Sequence, residues 1–189
     1  MKCLSFLILF YLIFTEPTTI KPYYSNELSK QIIKKQRNNK LLSIIKNWPN
    51  PSQKLLARWL KIAFEQNYVD IIRHILLNTH INLKGQDKLG NTWLHYAVVL
   101  GNPEFVKILL KKDICRNKQN IFGNTALHDN AKYNPNLKII KMLFMTGVNP
   151  DLENYEGETA LDIYVNTTTE PNEKIIRMLK KHCICYFLP

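Results

Sequence analysis

The sequence predicts an all-α fold, a solenoid of stacked helix-turn-helix units joined by hairpin-like turns. Three observations carry this. Residues 90–97, GNTWLHYA, are answered by GNTALHDN at 123–130 and by GETALDIY at 157–164, thirty-three and then thirty-four residues apart. A second apolar stretch follows each phrase: FVKILLKK (105–112), IIKMLFMTG (139–147) and IIRMLKKH (175–182). Within these stretches Val106, Leu109 and Leu110, like Ile140, Leu143 and Phe144, stand at i, i+3 and i+4, the spacing of one apolar helical stripe. A phrase repeated at a fixed period of 20–50 residues specifies architecture; a catalytic motif is normally written once.

Each position has a local physical reading. Gly90, Gly123 and Gly157 suit a turn in which φ is positive or another backbone passes closely. Thr92, Thr125 and Thr159 suit helix N-caps, a side-chain oxygen taking an orphan amide of the first turn. Leu94, Leu127 and Leu161 then open the face that packs on neighbouring helices.

On these residues the chain resembles the ankyrin-repeat family. The family phrase of Gly, any residue, Thr, Pro or Ala, Leu, His is met by Gly123, Thr125, Ala126, Leu127 and His128. The first copy has Trp93 where Pro is usual. In the third, Asp162 replaces His and Tyr164 stands where a small residue is expected, as does Asn130 in the second. Gly147-Val-Asn keeps the family's inter-helix turn, whereas Asp113-Ile-Cys departs from it.

A weaker fourth copy comes first. Ala63, Asn67, Ile72 and Leu76 precede Ala97, Gly101, Val106 and Leu110 by thirty-four residues, without the Gly-x-Thr phrase, as suits a terminal capping repeat. The expected division is therefore 1–18 leader, 19–51 basic helical cap or linker, 52–86 degenerate repeat, then repeats at 87–119, 120–153 and 154–183, and a tail at 184–189. About four repeats suffice to bury a continuous core.

The net charge of +11 is unevenly placed. Residues 21–54 hold eight Lys or Arg against Glu27 alone; from residue 55 on there are seventeen against thirteen acids. That segment has helical spacing in Leu28, Ile32 and Ile33 and again in Leu41, Leu42, Ile45 and Trp48, with Asn38-Asn39 as a break and Pro49 as a stop. It reads first as a helical cap with a solvated basic face, and second as a surface for acidic lipid, nucleic acid or an acidic partner. Ahead of it, Lys2 precedes an apolar run from Cys3 to Phe14, short for a spanning helix and suited to a signal-peptide core, although no pair of small residues marks a cleavage site. Export is the expectation, with a cytoplasmic or membrane-anchored chain as the alternative.

No enzyme is expected. His95 and His128 sit in register with the family's structural histidine, which the resemblance makes a tie between neighbouring turns. His182, Cys183 and Cys185 are a tight cluster with no second ligand pair, so no metal site is expected, and no phosphate-binding glycine loop implies a cofactor. Removing the leader leaves Cys115, Cys183 and Cys185, an odd number that gives no complete disulfide framework.

What the resemblance implies is protein binding along a concave surface of turn tips and first helices. Carried over residue by residue, the contacts are Lys88, Leu89, Asn91, Val99 and Leu100; Ile121, Phe122, Asn124, Lys132 and Tyr133; and Tyr155, Glu156 and Glu158. Leu89, Ile121, Phe122 and Tyr155 are apolar at tips where solvent is expected, which marks either an interaction surface or packing between adjacent tips. The expected partner is another protein, with no small-molecule substrate, and the chain is expected to be monomeric and to serve as an exported effector or a scaffold. The alternative is a membrane-surface or nucleic-acid-associated protein that docks through the basic 21–54 segment.

Overall fold

The computed structural model describes residues 27–180, and every regular element among them is an α-helix. These are α1 (Glu27–Lys46), α2 (Gln53–Glu65), α3 (Val69–Asn78), α4 (Trp93–Leu100), α5 (Pro103–Leu110), α6 (Ala126–Tyr133), α7 (Leu137–Phe144), α8 (Ala160–Thr167) and α9 (Glu173–Lys180). The chain divides after Asn50 into two units, the first contributing α1 and the second α2 to α9. The expected leader, the tail and the His182, Cys183, Cys185 cluster lie outside the described residues.

α1 corrects one expectation. It runs unbroken for 20 residues through Asn38-Asn39. An interior Asn costs a helix only about 0.7 kcal/mol, and the Lys, Gln, Arg and Leu residues around it favour the helix. Its basic face is solvated at Lys35, Lys40 and Lys46.

In the second unit the helices pair as α2/α3, α4/α5, α6/α7 and α8/α9, and the pairs stack so that α2, α4, α6 and α8 form an inner row and α3, α5, α7 and α9 an outer row. Between the rows lies one core, built from Leu60, Ile72, Leu94, Phe105, Leu109, Leu127, Ile140, Leu143, Ile163 and Leu179, all buried. The two residues that are too large for their positions are accommodated differently. Tyr164 is buried with its hydroxyl accepting from the Asn172 amide at 2.8 Å. Asn130 is fully buried and its side-chain amide donates to the Asn134 carbonyl at 2.8 Å. Pro135 explains why that carbonyl needs a partner. At the matching point between paired helices, Asn67 and Gly101 turn left-handed, with φ of 55° and 71°. A residue before proline avoids the helical region, and Asn134 takes φ −156° instead, which redirects its carbonyl.

The histidines tie the inner row together. Thr92 is the N-cap of α4; its amide lies 3.1 Å and its hydroxyl 2.8 Å from His95 Nδ1. An amide can only donate, so Nδ1 carries the lone pair and Nε2 the proton. That Nε2 proton is donated to the Asn124 carbonyl in the next repeat, at 3.0 Å. His128 repeats the arrangement with Thr125 and the Glu158 carbonyl, at 3.1 Å from Nε2. Asp162 keeps the capping half alone: one carboxylate oxygen accepts from the Thr159 amide at 2.9 Å and hydroxyl at 2.6 Å. It has no proton to give onward. The first seam, where no such histidine stands, is filled by rings. Phe64 of α2 stacks on Trp93 at 6.3 Å and Tyr96 at 6.0 Å and meets Phe105 edge-on at 6.1 Å.

The His128 tie predicts that His128→Ala lowers stability by roughly 1–3 kcal/mol, because the orphaned cap and carbonyl stay buried. An unchanged unfolding midpoint would remove the tie.

The titration of these groups gives a pH dependence of definite sign. Burial depresses the pKa of both histidines, against the raising effect of their carbonyl partners. Their contribution is complete above the ordinary value of 6.5 and declines as pH falls below it, where the unfolded chain takes up protons more readily. Asp129 of α6 acts oppositely: burial pushes its pKa up to about 7 from 3.8, so its contribution is present at low pH and lost as pH rises through about 7. Asp129→Asn should therefore lose stability more steeply than the natural chain between about pH 7 and about pH 5.5. Equal slopes in paired melting curves would contradict this.

Candidate functional site

Between the outer helix of one repeat and the inner helix of the next, the chain makes a finger closed at Gly90, Gly123 and Gly157. Sequence reasoning missed what builds these fingers. Three residues before each glycine stands Asp87, Asn120 or Asn154, spaced as the glycines are. Asp87 Oδ1 accepts the amides of Leu89 and Asn91; Asn120 Oδ1 accepts those of Phe122 and Asn124; Asn154 Oδ1 accepts those of Glu156 and Glu158, all at 2.8–3.1 Å. One short polar side chain thus shapes each turn.

A second set joins finger to finger. The Ile121 amide donates to the Leu89 carbonyl at 3.0 Å and the Tyr155 amide to the Phe122 carbonyl at 3.1 Å. Gln86 donates to the carbonyls of Gly90 and Gln119, and Gln119 to those of Gly123 and Glu153. The next position in that column is Glu153, which lacks the side-chain amide that makes these bonds. The contact is close enough to require glycine: a Cβ on Gly123, at φ +77°, would stand 2.5 Å from the Tyr155 backbone nitrogen.

The thirteen expected contact residues divide by what remains of each side chain. Leu89, Ile121, Phe122 and Tyr155 have their backbones committed and their side chains in solvent, Phe122 at 58% and Tyr155 at 74% exposure. Lys88 and Glu156 are exposed beside them. At the ends of the inner helices Val99, Lys132 and Tyr133 are exposed and Leu100 is half-buried, with the Lys132 ammonium 5.5 Å from the Tyr133 ring centre. Two expected contacts are otherwise engaged. Asn91 Oδ1 accepts from Asn120 at 3.0 Å, and Asn124, buried, accepts from Asn154 at 3.2 Å. Their side chains hold fingers together, because the same asparagine amides that shape one turn reach the turn before. Glu158, half-buried, accepts from Asn154 Nδ2 at 3.1 Å.

The charged groups at the first finger form a closed set. Burial would raise the Asp87 carboxyl, but the Tyr96 hydroxyl, donating at 2.7 Å, and the Asn91 and Leu89 amides hold it below its ordinary value. Burial and the same bond push the Tyr96 phenol up to about 12. Lys61 lies 3.5 Å from Asp87 Oδ2. Both histidines have each ring nitrogen engaged in the ties described above. Among the described residues, no three His, Cys, Asp or Glu side chains gather as metal ligands, and no helix is long and apolar enough to cross a membrane. Cys115 is an exposed free thiol.

This arrangement is suited to holding a surface, and comparison with known proteins agrees. A family model for ankyrin repeats in three copies matches residues 31–120, and one for a single ankyrin repeat matches residues 122–155. The chain is 35% identical over 106 residues to the rat ankyrin repeat and SAM domain-containing protein 6, covering 56% of this chain and 12% of that protein. It is 28% identical over 122 residues to a putative ankyrin repeat protein of fowlpox virus, covering 62% of this chain and 36% of that one. To a putative ankyrin repeat protein of Acanthamoeba polyphaga mimivirus it is 38% identical over 80 residues, covering 42% and 49%. The chain thus spans less than half the length of each. Ankyrin repeats are generally protein-interaction modules and typically non-catalytic. On the period, the finger bonds and the histidine ties, the chain belongs to the ankyrin-repeat family.

Proposed function

We propose that the chain is a non-catalytic protein-interaction module whose partner docks along the finger face, the concave face in this family. The observation that carries this reading is the strip of Leu89, Ile121, Phe122 and Tyr155. The four are apolar and exposed, on fingers whose backbone groups are bonded to one another. Apolar side chains held out on a rigid edge lose little freedom on binding, and aromatic residues dominate such contacts. Tyr133 and Val99 continue the strip at the ends of the inner helices.

A second reading, docking of a polyanion through the basic 21–54 segment, draws on the uninterrupted basic helix α1. The two differ in salt response. Polyanion binding weakens steeply as salt rises, whereas an apolar finger contact changes little. Export as an effector is proposed from the leader-like residues 1–20, with a cytoplasmic scaffold as the alternative.

Phe122→Ala/Tyr133→Ala should stay folded and bind its partner at least about thirtyfold more weakly. By contrast, Leu143→Ala should cost about 2–5 kcal/mol of stability through a buried cavity. If the double variant unfolds, the two rings belong to the core; if it binds normally, the interface lies elsewhere. Fused to a reporter, residues 1–20 should direct export, with the mature product starting between about residues 15 and 24. Retention of the full-length reporter in the cytoplasm would leave a scaffold.

A further inference from the structure

Asp129 stands out chemically in the stack. It is only 6% exposed, and among the described residues no donor hydrogen-bonds its carboxylate; the single charge that acts on it is Lys132, one turn away. A buried carboxylate without donors is costly, and the stack has no need of one here. The corresponding positions of the neighbouring inner helices hold Tyr96 and Ile163.

Two observations say where this side chain faces. In α4 the corresponding residue, Tyr96, reaches its own finger, its hydroxyl donating to Asp87 at 2.7 Å. The Tyr96 ring also stacks on Phe64 of the preceding inner helix at 6.0 Å, so this column lies along the seam between inner helices with its outer end at the finger. Within α6, Asp129 shares a helix face with Lys132 and Tyr133, at i+3 and i+4, and both are exposed. Its oxygens are not among the sealed, unpartnered polar atoms of the described residues, so the carboxylate keeps a trace of contact with solvent. The Tyr133 ring, one turn along the same helix, already holds a cation, the Lys132 ammonium at 5.5 Å.

We propose that Asp129 is the anchor for a cationic side chain, an arginine or lysine, of the protein segment that docks on the finger face, with the Tyr133 ring as the wall of its seat. The inference rests on the finger-face reading above and adds the partner's chemistry to it. A guanidinium supplies two parallel donors to the two carboxylate oxygens and a flat cation to the ring. The apolar finger strip then takes the residues on either side. Little water reaches the seat, so this charge pair is screened less than one on the surface.

The test is to pan a random peptide library on the immobilised full chain, on Asp129→Asn, and on Ile121→Ala/Phe122→Ala. The natural chain is expected to enrich peptides with one Arg or Lys flanked by apolar residues. For an enriched arginine peptide, replacing that arginine by citrulline, its neutral isostere, should weaken binding to the natural chain at least about tenfold. Asp129→Asn should bind the arginine peptide correspondingly weakly and respond little to the citrulline exchange. Peptides that depend on Ile121 and Phe122 but show no cationic preference, or the same citrulline loss on Asp129→Asn, would overturn the anchor and leave the finger-face reading standing. Peptides indifferent to Ile121 and Phe122 would overturn both. Asp129→Leu should melt at or above the natural chain. Unfolding of both Asp129 variants would make the carboxyl a requirement of the fold and end the proposal.

Discussion

The stack depends on a side chain that caps its own helix and grips the next repeat at once. In His95 and His128, Nδ1 faces the Thr amide and hydroxyl at the start of the inner helix while Nε2–H donates to a carbonyl of the following finger. The neutral imidazole fits this task because it has one acceptor and one donor, fixed at opposite edges of a rigid ring. A carboxylate does only the first half. Asp162, in the third copy, makes the cap with Thr159 alone. These two ties fix the register of the inner helices from α4 to α8.

The core between the two rows is continuous, but each repeat is held to the next by its own nearest-neighbour seam, and the seams are not alike. The first relies on the stacked rings of Phe64, Trp93 and Tyr96 and on the Asp87, Tyr96 and Lys61 set. Later seams rely on histidine ties and on fingers joined backbone to backbone. Trp93 departs from the family phrase, and its place in the ring cluster gives the departure a physical reason. So does the loss of a left-handed residue at Asn134. Pro135 precludes that turn, and the buried Asn130 amide takes the redirected carbonyl, at the cost of leaving Asn130 Oδ1 without a partner.

Much of this was legible in the letters, and what was not has identifiable causes. The glycines, capping threonines and first leucines announced the period because each meets a need that few residues satisfy. Asn67 could be aligned with Gly101 because both accept a left-handed backbone. Asp87, Asn120 and Asn154 recur just as regularly and were overlooked, since polar letters before a turn read as solvent until their acceptors are seen. The bonds that Asn91 and Asn124 make between fingers were invisible for the same reason. The break expected at Asn38-Asn39 failed because a weak local preference was weighed without the strong helix formers on both sides. Asp129 could not be read at all: nothing in the letters says that this polar residue is buried.

The finger face is therefore the product of two opposed demands. Rigidity requires the polar atoms of the fingers to be spent on one another, which is why the asparagines and glutamines of the tips offer a partner little. What stays exposed on the fingers is the apolar strip, and the proposed docking adds to it, one layer deeper, the Asp129 carboxyl. Asp129 is as buried as the aliphatic Ile163 at the corresponding position of the next inner helix. A natural stack usually departs from its most stable sequence where function requires it. The departure here lies one helical turn from the exposed Tyr133, which is why the proposed docking is assigned to it.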